Sequence, residues 1–299
     1  MCHGLRVSVV AVTGATGFIG QIAVRALARR GHTIIAVSRN SLSPTPAVFH
    51  VRGSLGAALD LGDAPVPNLV IHLAHDFSPD ALALNVQGTE QWFCDFERHG
   101  AQRQVLMSSL SVLVDTRTPY SASKRALESF FSSRSQPTLR PGLVIGAGGM
   151  FGMLAKVMQL SPMTAIPGTR APRLYLTALP ELIDALESLL PPATLEHPLA
   201  RNIVTWGPVS FRELASQLRA PSKRRGIVVA VPGSVFDGML RVGAAVAPRL
   251  QSFRESYDNL LATDLLMREE APQTAKHPMT PAALQALMGP DADTDAAPR

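Results

Sequence analysis

The chain has 299 residues, 46% hydrophobic and 17% charged, which is enough to bury one large core or two fused lobes and speaks for a globular protein. Its formal charge of +5 would suit a polyanion, but no zinc-finger spacing, RNA-binding aromatic motif or basic arm accompanies it, so no nucleic-acid partner is expected and a small phosphorylated ligand fits equally well. The two cysteines, Cys2 and Cys94, form no disulfide framework and suit a reducing cytoplasm; no apolar run reaches the roughly 18 residues of a membrane span, and "MCHGLRVSVVAV" lacks the layout of a secretory leader.

"LRVSVVAV" predicts a first buried strand, Gln21 to Arg30 a helix ended by Gly31, and "HTIIAVSR" a second strand. Further strands are expected at "NLVIHLA" and "RQVLMSS", with a helix from Val86 through Arg98 between them, followed by a helix carrying "YSASKRALESFF" and a strand at "TLRPGLVIG". The alternation predicts an α/β fold, a Rossmann-type doubly wound parallel sheet over residues 1–148. Beyond Gly148 proline and glycine become frequent; "MTAIPGTRAPRLYL" reads as loop then strand and "PELIDALESLL" as a helix, so residues 149–288 are expected to form a smaller C-terminal substrate-binding lobe interleaved with the sheet. The polar, acidic stretch 289–299 has no periodicity and is expected to be a disordered tail.

Two motifs carry chemistry. "VTGATGFIG", Val12 to Gly20, follows a buried strand and opens a helix: Gly14 permits a tight turn, Gly17 lets the backbone approach a pyrophosphate, and Gly20 lets the helix pack on its strand, while the helix N-terminus offers amides to phosphates. In "PYSASK", Tyr120 and Lys124 stand one helical turn apart on one face. An ammonium beside a phenol favours the phenolate, so such a pair is a candidate proton donor and acceptor.

In order along the chain, "TGATGFIG", "VIHLAH", "NVQGT", "SSLSV", "PYSASK" and "LRPG" resemble the extended short-chain dehydrogenase/reductase family, which includes nucleotide-sugar epimerases, dehydratases and reductases. The likeness spans about Val12 to Gly142 and continues more weakly through "RLYLTALPELIDAL" to "FRELASQL". It implies that Tyr120 is the general acid/base, that Lys124 holds the nicotinamide ribose and lowers the Tyr120 pKa, and that Ser109 orients the substrate oxygen, with Ser108 beside it as a substrate contact and Ser111 the weaker candidate. Asn85, in the segment leading into the helix behind the site, is expected to have a structural or proton-relay role. Around the cofactor the resemblance places Gly14, Thr16, Gly17, Phe18, Ile19 and Gly20, then Ser38 and Arg39, Ser54 and Leu55, Leu73 and Ala74, and Pro141. A homodimer through the helices holding Trp92 and Tyr120 is the family's habit.

The second strand ends "AVSRN", with Ser38 and Arg39 and no carboxylate to hold a ribose 2′-hydroxyl, so NADP(H) is preferred and NAD(H) is the alternative. Ser54 stands in "VRGSL" where many relatives carry an acidic residue toward the adenine, and only eleven positions separate Ser109 from Tyr120, shorter than in sugar-nucleotide epimerases. Leu110 follows Ser109 where 4,6-dehydratases need an acid, which speaks against dehydration and leaves hydride transfer. "PRLYLT" resembles the stretch that places an arginine on a substrate diphosphate, which would make Arg173 a substrate ligand, with Arg170 its neighbour.

Other features have plainer readings. His72 and His75 lack a third metal ligand at credible spacing, so no metal is expected and His72 is expected to pack behind the cofactor. Trp92 and Phe93 are expected to pack on the sheet or across a dimer face, and "RAPSKRRG" to be a solvated basic turn. Val235, Met239, Val242 and Val246 form a helical apolar stripe, expected to face the core as a lid, with a second subunit or peripheral contact with a bilayer as alternatives. Three functions fit: an NAD(P)-dependent oxidoreductase or epimerase of a nucleotide-sugar, an NADPH-dependent ketoreductase of a non-nucleotide small molecule, and a non-catalytic cofactor-binding regulator or assembly subunit.

Overall fold

The computed structural model describes residues 7–40, 46–78, 80–113, 118–160, 163–168, 173–191, 199–219, 227–246 and 279–288. The chain divides into two units, the first made of Met1–Ser109, Pro119–Arg140 and Leu182–Asn202, the second of Leu110–Thr118, Pro141–Glu181 and Ile203–Arg299.

The strands of the first unit are β1 (Val9–Thr13), β2 (Thr33–Ser38), β3 (Val48–Arg52), β4 (Leu69–His72), β5 (Gln104–Met107) and β6 (Thr138–Pro141). They pair in parallel in the order β6-β5-β4-β1-β2-β3, with the later strand β10 (Ala200–Ile203) beside β6 as the seventh. Nearly every residue of β1, β2, β4 and β5 is buried, the signature of strands covered on both faces. The edge strand β3 was not anticipated, because only Val51 in it is fully buried and its apolar signal is correspondingly thin.

The covering helices are α1 (Phe18–Arg29), α2 (Leu82–Arg98) and α3 (Pro119–Ser133). On α1 the residues Gly20, Ala23, Val24 and Leu27 recur at helical spacing and are buried. Two boundaries differ from the sequence reading. α1 begins at Phe18 rather than Gln21, directly behind the glycine loop, and α2 begins at Leu82 rather than Val86, so Asn85 lies within its first turn. Neither helix has a side-chain cap to announce its start.

In the second unit, α4 (Gly149–Leu160), β8 (Met163–Pro167), β9 (Leu174–Thr177), β11 (Trp206–Val209), α6 (Phe211–Arg219), β12 (Ile227–Val231), α7 (Gly233–Val246) and α8 (Pro281–Met288) follow a 3-10 turn at Leu110–Leu113 and the short β7 (Leu143–Val144). α5 (Leu179–Glu187) runs from this unit into the first. Strand β9 lies between β7 and β11, and β8 pairs in parallel with β12. Phe211, Leu214, Ala215 and Leu218 of α6 join Phe151, Met158, Leu176 and Trp206 in one core.

Three expectations are corrected in this unit. The run "TLRPGLVIG" is not one strand: it breaks at Gly142, where a Cβ would fall 2.2 Å from the Tyr175 carbonyl oxygen, into β6 and β7 of different sheets. Part of the expected loop before "RLYL" is strand β8. On α7 the predicted stripe is exposed at Val235, Met239 and Val242, while Phe236 and Leu240, one position on, meet the core; apolar residues on two faces leave periodicity unable to choose. The side chain of Val246, most of the basic turn beyond Arg219, and the 289–299 tail lie outside the described residues. No helix among the described residues is long and apolar enough to cross a membrane.

A buried polar knot ties α5 to the strand edge. His32 accepts the Ser8 amide at Nδ1 (3.3 Å), so Nε2 carries the proton and donates it to Glu187 (3.0 Å), while Arg30 pairs with Glu187 and Asp184. Glu187→Ala should strand that imidazole N–H and cost about 1–3 kcal/mol, whereas Glu187→Gln keeps an acceptor and should cost less than half as much. Urea unfolding of both variants measures the difference; equal losses would assign the effect to charge instead.

Candidate functional site

The C-terminal ends of β1, β2 and β4 build the first half of the site. Thr13, the last residue of β1, buries a hydroxyl that accepts from the amides of Leu73 (3.1 Å) and Ala74 (3.2 Å). The chain then turns at Gly14, whose φ of +67° and whose absent Cβ, which would stand 2.8 Å from the Ala74 amide nitrogen, admit glycine alone. Ala15 ties the loop to β2 through the Val37 carbonyl (3.1 Å), and Gly17 donates to the Gly14 carbonyl (2.9 Å). At Gly20 a Cβ would fall 2.2 Å from the Gly14 oxygen, so Thr16, Gly17, Phe18 and Ile19 wrap tightly onto the start of α1. A backbone cradle that a Cβ would fill, opening on a helix N-terminus with no side-chain cap, suits a dinucleotide pyrophosphate.

At the end of β2 the Ser38 hydroxyl is engaged within the chain, donating to the Asn40 carbonyl (2.6 Å) with the His50 ring 3.1 Å away, and Arg39 is exposed beside it. The exposed Ser54 begins a turn closed by the Ala57 amide (3.1 Å). Leu55 packs against α2 at Gly88, where a Cβ would stand 3.1 Å from it.

The second half joins β5 and α3. Lys124 is buried and its ammonium donates to the Met107 carbonyl (2.8 Å); burial pushes its pKa down to about 8, opposed by the Glu128 carboxylate. Its nitrogen stands 5.8 Å from the centre of the Tyr120 ring. Ser109 hydrogen-bonds the Tyr120 hydroxyl, and Ser108 beside it is buried with no partner for its oxygen. Enclosure raises the Tyr120 pKa, and the Ser109 bond partly opposes this. The expected depression of the phenol by Lys124 is not seen in this geometry: burial raises the phenol, the Ser109 bond alone opposes it, and the Lys124 ammonium is directed to a backbone carbonyl. Ser109 and Lys124 nevertheless both stand close to Tyr120.

Asn85 has a definite structural task. Its side-chain oxygen accepts the Asp76 amide and its nitrogen donates to the Asp76 carbonyl, both at 2.8 Å, which clamps the loop after β4 onto α2. The loop carries His75 and Phe77 to Tyr120: the His75 ring meets it edge-on at 5.1 Å and the Phe77 ring lies nearly parallel at 6.2 Å. The sequence reading had assigned no site role to Thr13, His75 or Phe77; only the position of Thr13 directly before the glycine loop offered a hint.

His72 is a core residue, as its plainer reading held. It lies among Phe93, Phe96 and Phe131, with Nε2 2.8 Å from the Gln104 oxygen, and burial lowers its pKa to about 4. Trp92 is likewise packed inside the first unit, donating to the Ala57 carbonyl (2.8 Å). Among the described residues no three metal-ligating side chains gather. Pro141 ends β6, and Arg173 stands directly before β9 in the second unit; Arg170 lies outside the described residues.

The curated protein most informative about chemistry is a ceramide reductase of Caulobacter vibrioides, 32% identical over 164 residues, 50% of this chain and 51% of that one; the chain thus matches about half the length of this relative. Among solved structures, MoeE5 in complex with UDP-glucose and NAD is 26% identical with a TM-score of 0.62, over 75% of this chain and 85% of that one. UDP-glucose 4-epimerase of Thermus thermophilus in complex with NAD is 19% identical with a TM-score of 0.58, over 75% and 86%, a likeness of fold. A model of the NAD dependent epimerase/dehydratase family matches residues 10–158. That stretch holds the glycine cradle, Asn85, Ser109, Tyr120 and Lys124, and through it the chain belongs to the NAD dependent epimerase/dehydratase family.

Proposed function

We propose that the protein is an NAD(P)-dependent carbonyl reductase, transferring a hydride to the carbonyl carbon of a small molecule while Tyr120 protonates its oxygen. The carrying observation is the hydrogen bond between Ser109 and a Tyr120 phenol whose pKa is raised, beside the buried Lys124. A phenol held in its protonated form is a donor, which is what reduction asks of it. When bound, the reduced nicotinamide supplies the hydride.

The chain's own groups do the rest. With a dinucleotide bound, the cradle of Gly14, Gly17 and Gly20 would offer backbone amides to its pyrophosphate, and Lys124 would hold the ribose hydroxyls. Ser109 and Tyr120 offer two hydroxyls to one substrate oxygen, which orients it and polarises the carbonyl. Arg39, exposed at the end of a second strand without a carboxylate, supports NADP(H) as the preferred cofactor, with NAD(H) the alternative. The short span from Ser109 to Tyr120 and the reductase relative favour a non-nucleotide substrate. A second reading, hydride transfer within a nucleotide-sugar as in an epimerase, is favoured by the likeness to MoeE5 bound to UDP-glucose, and Arg173 would then serve the diphosphate.

The test monitors NADPH and NADH oxidation with a panel of 3-oxo esters and amides, and separately the conversion of UDP-glucose to its 4-epimer. Tyr120→Phe should lower kcat by about 10²–10⁴-fold and leave cofactor affinity within threefold. Turnover that survives the substitution would sink the assignment of Tyr120, and loss of cofactor binding would make its role structural.

A pH dependence follows from Lys124. Its folded pKa of about 8 lies below the ordinary lysine value of 10.5, so between those values the unfolded chain holds a proton that the native protein lacks. Stability contributed at this residue is therefore least below pH 8 and rises through the window, by about 3 kcal/mol in all. Urea midpoints of wild type and Lys124→Met, compared from pH 7 to 10, should diverge in favour of wild type as pH rises; parallel curves would mean that Lys124 titrates normally.

A further inference from the structure

The side of Tyr120 that faces the loop after β4 is unlike the rest of the site. Phe77 is 72% exposed, yet its ring lies nearly parallel to Tyr120, 12° off at 6.2 Å. His75 is packed against both rings, 4.7 Å from Phe77 and 5.1 Å from Tyr120, and its Nδ1 is buried with no hydrogen-bond partner.

The loop is held in this arrangement. Asn85 clamps Asp76 by two hydrogen bonds, and the Asp76 carboxylate accepts from the Ser78 amide (2.8 Å) and hydroxyl (2.6 Å). Exposure of the Phe77 ring is thus imposed by four hydrogen bonds around it. A large apolar ring fixed in the open beside Tyr120, and a buried ring nitrogen without a hydrogen-bond partner, are two unsatisfied features of opposite character next to one another. Burial and the nearby Lys124 charge hold the His75 imidazole neutral, with its pKa lowered to about 3, so it accepts or donates a hydrogen bond without adding a charge.

Resting on the carbonyl-reductase reading above, we infer that His75 and Phe77 form the substrate-selecting edge of the site: Phe77 receives an alkyl or acyl substituent beside the reacting carbonyl, and His75 Nδ1 accepts a hydrogen bond from an N–H or O–H of the same molecule. Asn85 is the positioning residue behind both. The substrate class is a carbonyl compound carrying an apolar chain and one nearby donor.

The experiment uses N-ethyl 3-oxoalkanamides of four to ten carbons and the matching ethyl esters, which lack the N–H, with NADPH oxidation as the rate. Wild-type kcat/KM should rise about two- to fourfold per added methylene. Phe77→Ala should flatten that slope, and Phe77→Leu should keep most of it. His75→Ala should raise KM about tenfold more for the amides than for the matching esters at every chain length. His75→Asn, which returns a polar atom near the Nδ1 position, should restore the amides, and His75→Phe, which returns only the ring, should not.

A flat wild-type slope, a slope that survives Phe77→Ala, or a Phe77→Ala effect that appears only as weaker NADPH binding would overturn the apolar wall. Rescue by His75→Phe and not by His75→Asn would overturn the polar contact. If UDP-glucose is epimerised and no ketone reduced, the inference falls with its substrate class. If neither is turned over, the reductase reading fails by itself, and calorimetric binding of the corresponding 3-hydroxyamides decides the edge. Affinity rising with chain length in wild type but not in Phe77→Ala upholds it, and any other pattern overturns it.

Discussion

A single charged hydrogen bond, from the Lys124 ammonium to the Met107 carbonyl, joins the two elements that carry the candidate site. It fastens α3 to the end of β5 at one rotation about the helix axis, and the side chain one turn earlier, Tyr120, then has to point along the same face. Met107 is followed directly by Ser108 and Ser109, so the strand that accepts the ammonium also delivers the hydroxyl that meets Tyr120. Burial of an ammonium on one carbonyl is unfavourable by itself, as its lowered pKa records. The fold carries that cost at the place where it brings a cation close to a phenol.

The glycine loop and the loop after β4 are coupled in a similar way. Thr13 takes both amides of Leu73 and Ala74, and Gly14 lies so close to Ala74 that no side chain fits between them. The C-terminal edge of the sheet therefore has a fixed spacing between the phosphate cradle and the segment leading to His75 and Phe77. The crevice outside the carboxyl ends of parallel strands is where open α/β sheets place their ligands, and these hydrogen bonds set its width in this unit.

The parts that were readable from sequence are those whose physical cause is local. Gly14 and Gly20 announce a tight turn because a Cβ has no room at either, and the Tyr120 to Lys124 spacing announces one helix face whatever surrounds it. β1, β2, β4 and β5 were readable because strands covered on both faces must be continuously apolar. What escaped depends on partners distant in the chain. Asn85 looked equally suited to structure or to proton relay until its two bonds to the Asp76 backbone were in view. The exposed stripe of α7 was mistaken for its core face because Phe236 and Leu240 form a second stripe one position away, and only the elements packed against them distinguish the two. The direction of the Tyr120 shift escaped because the spacing reveals the cation but neither the burial of the phenol nor the carbonyl to which the ammonium turns.

The same division explains how one frame can serve different substrates. The groups proposed to move the proton are held by backbone: a strand carbonyl for Lys124, a strand end for Ser109. The groups beside them that face outward, His75 and Phe77, are carried on a loop whose own backbone is clamped by Asn85 and by the Asp76 to Ser78 turn. Because the clamp grips main-chain atoms of Asp76, the side chains on either side of it are open to replacement without loosening the loop. On the proposed reading, selection of the substrate would be separated from proton transfer by one residue's hydrogen bonds, and a change at 75 or 77 would alter what is presented to Tyr120 while Asn85 still holds the loop.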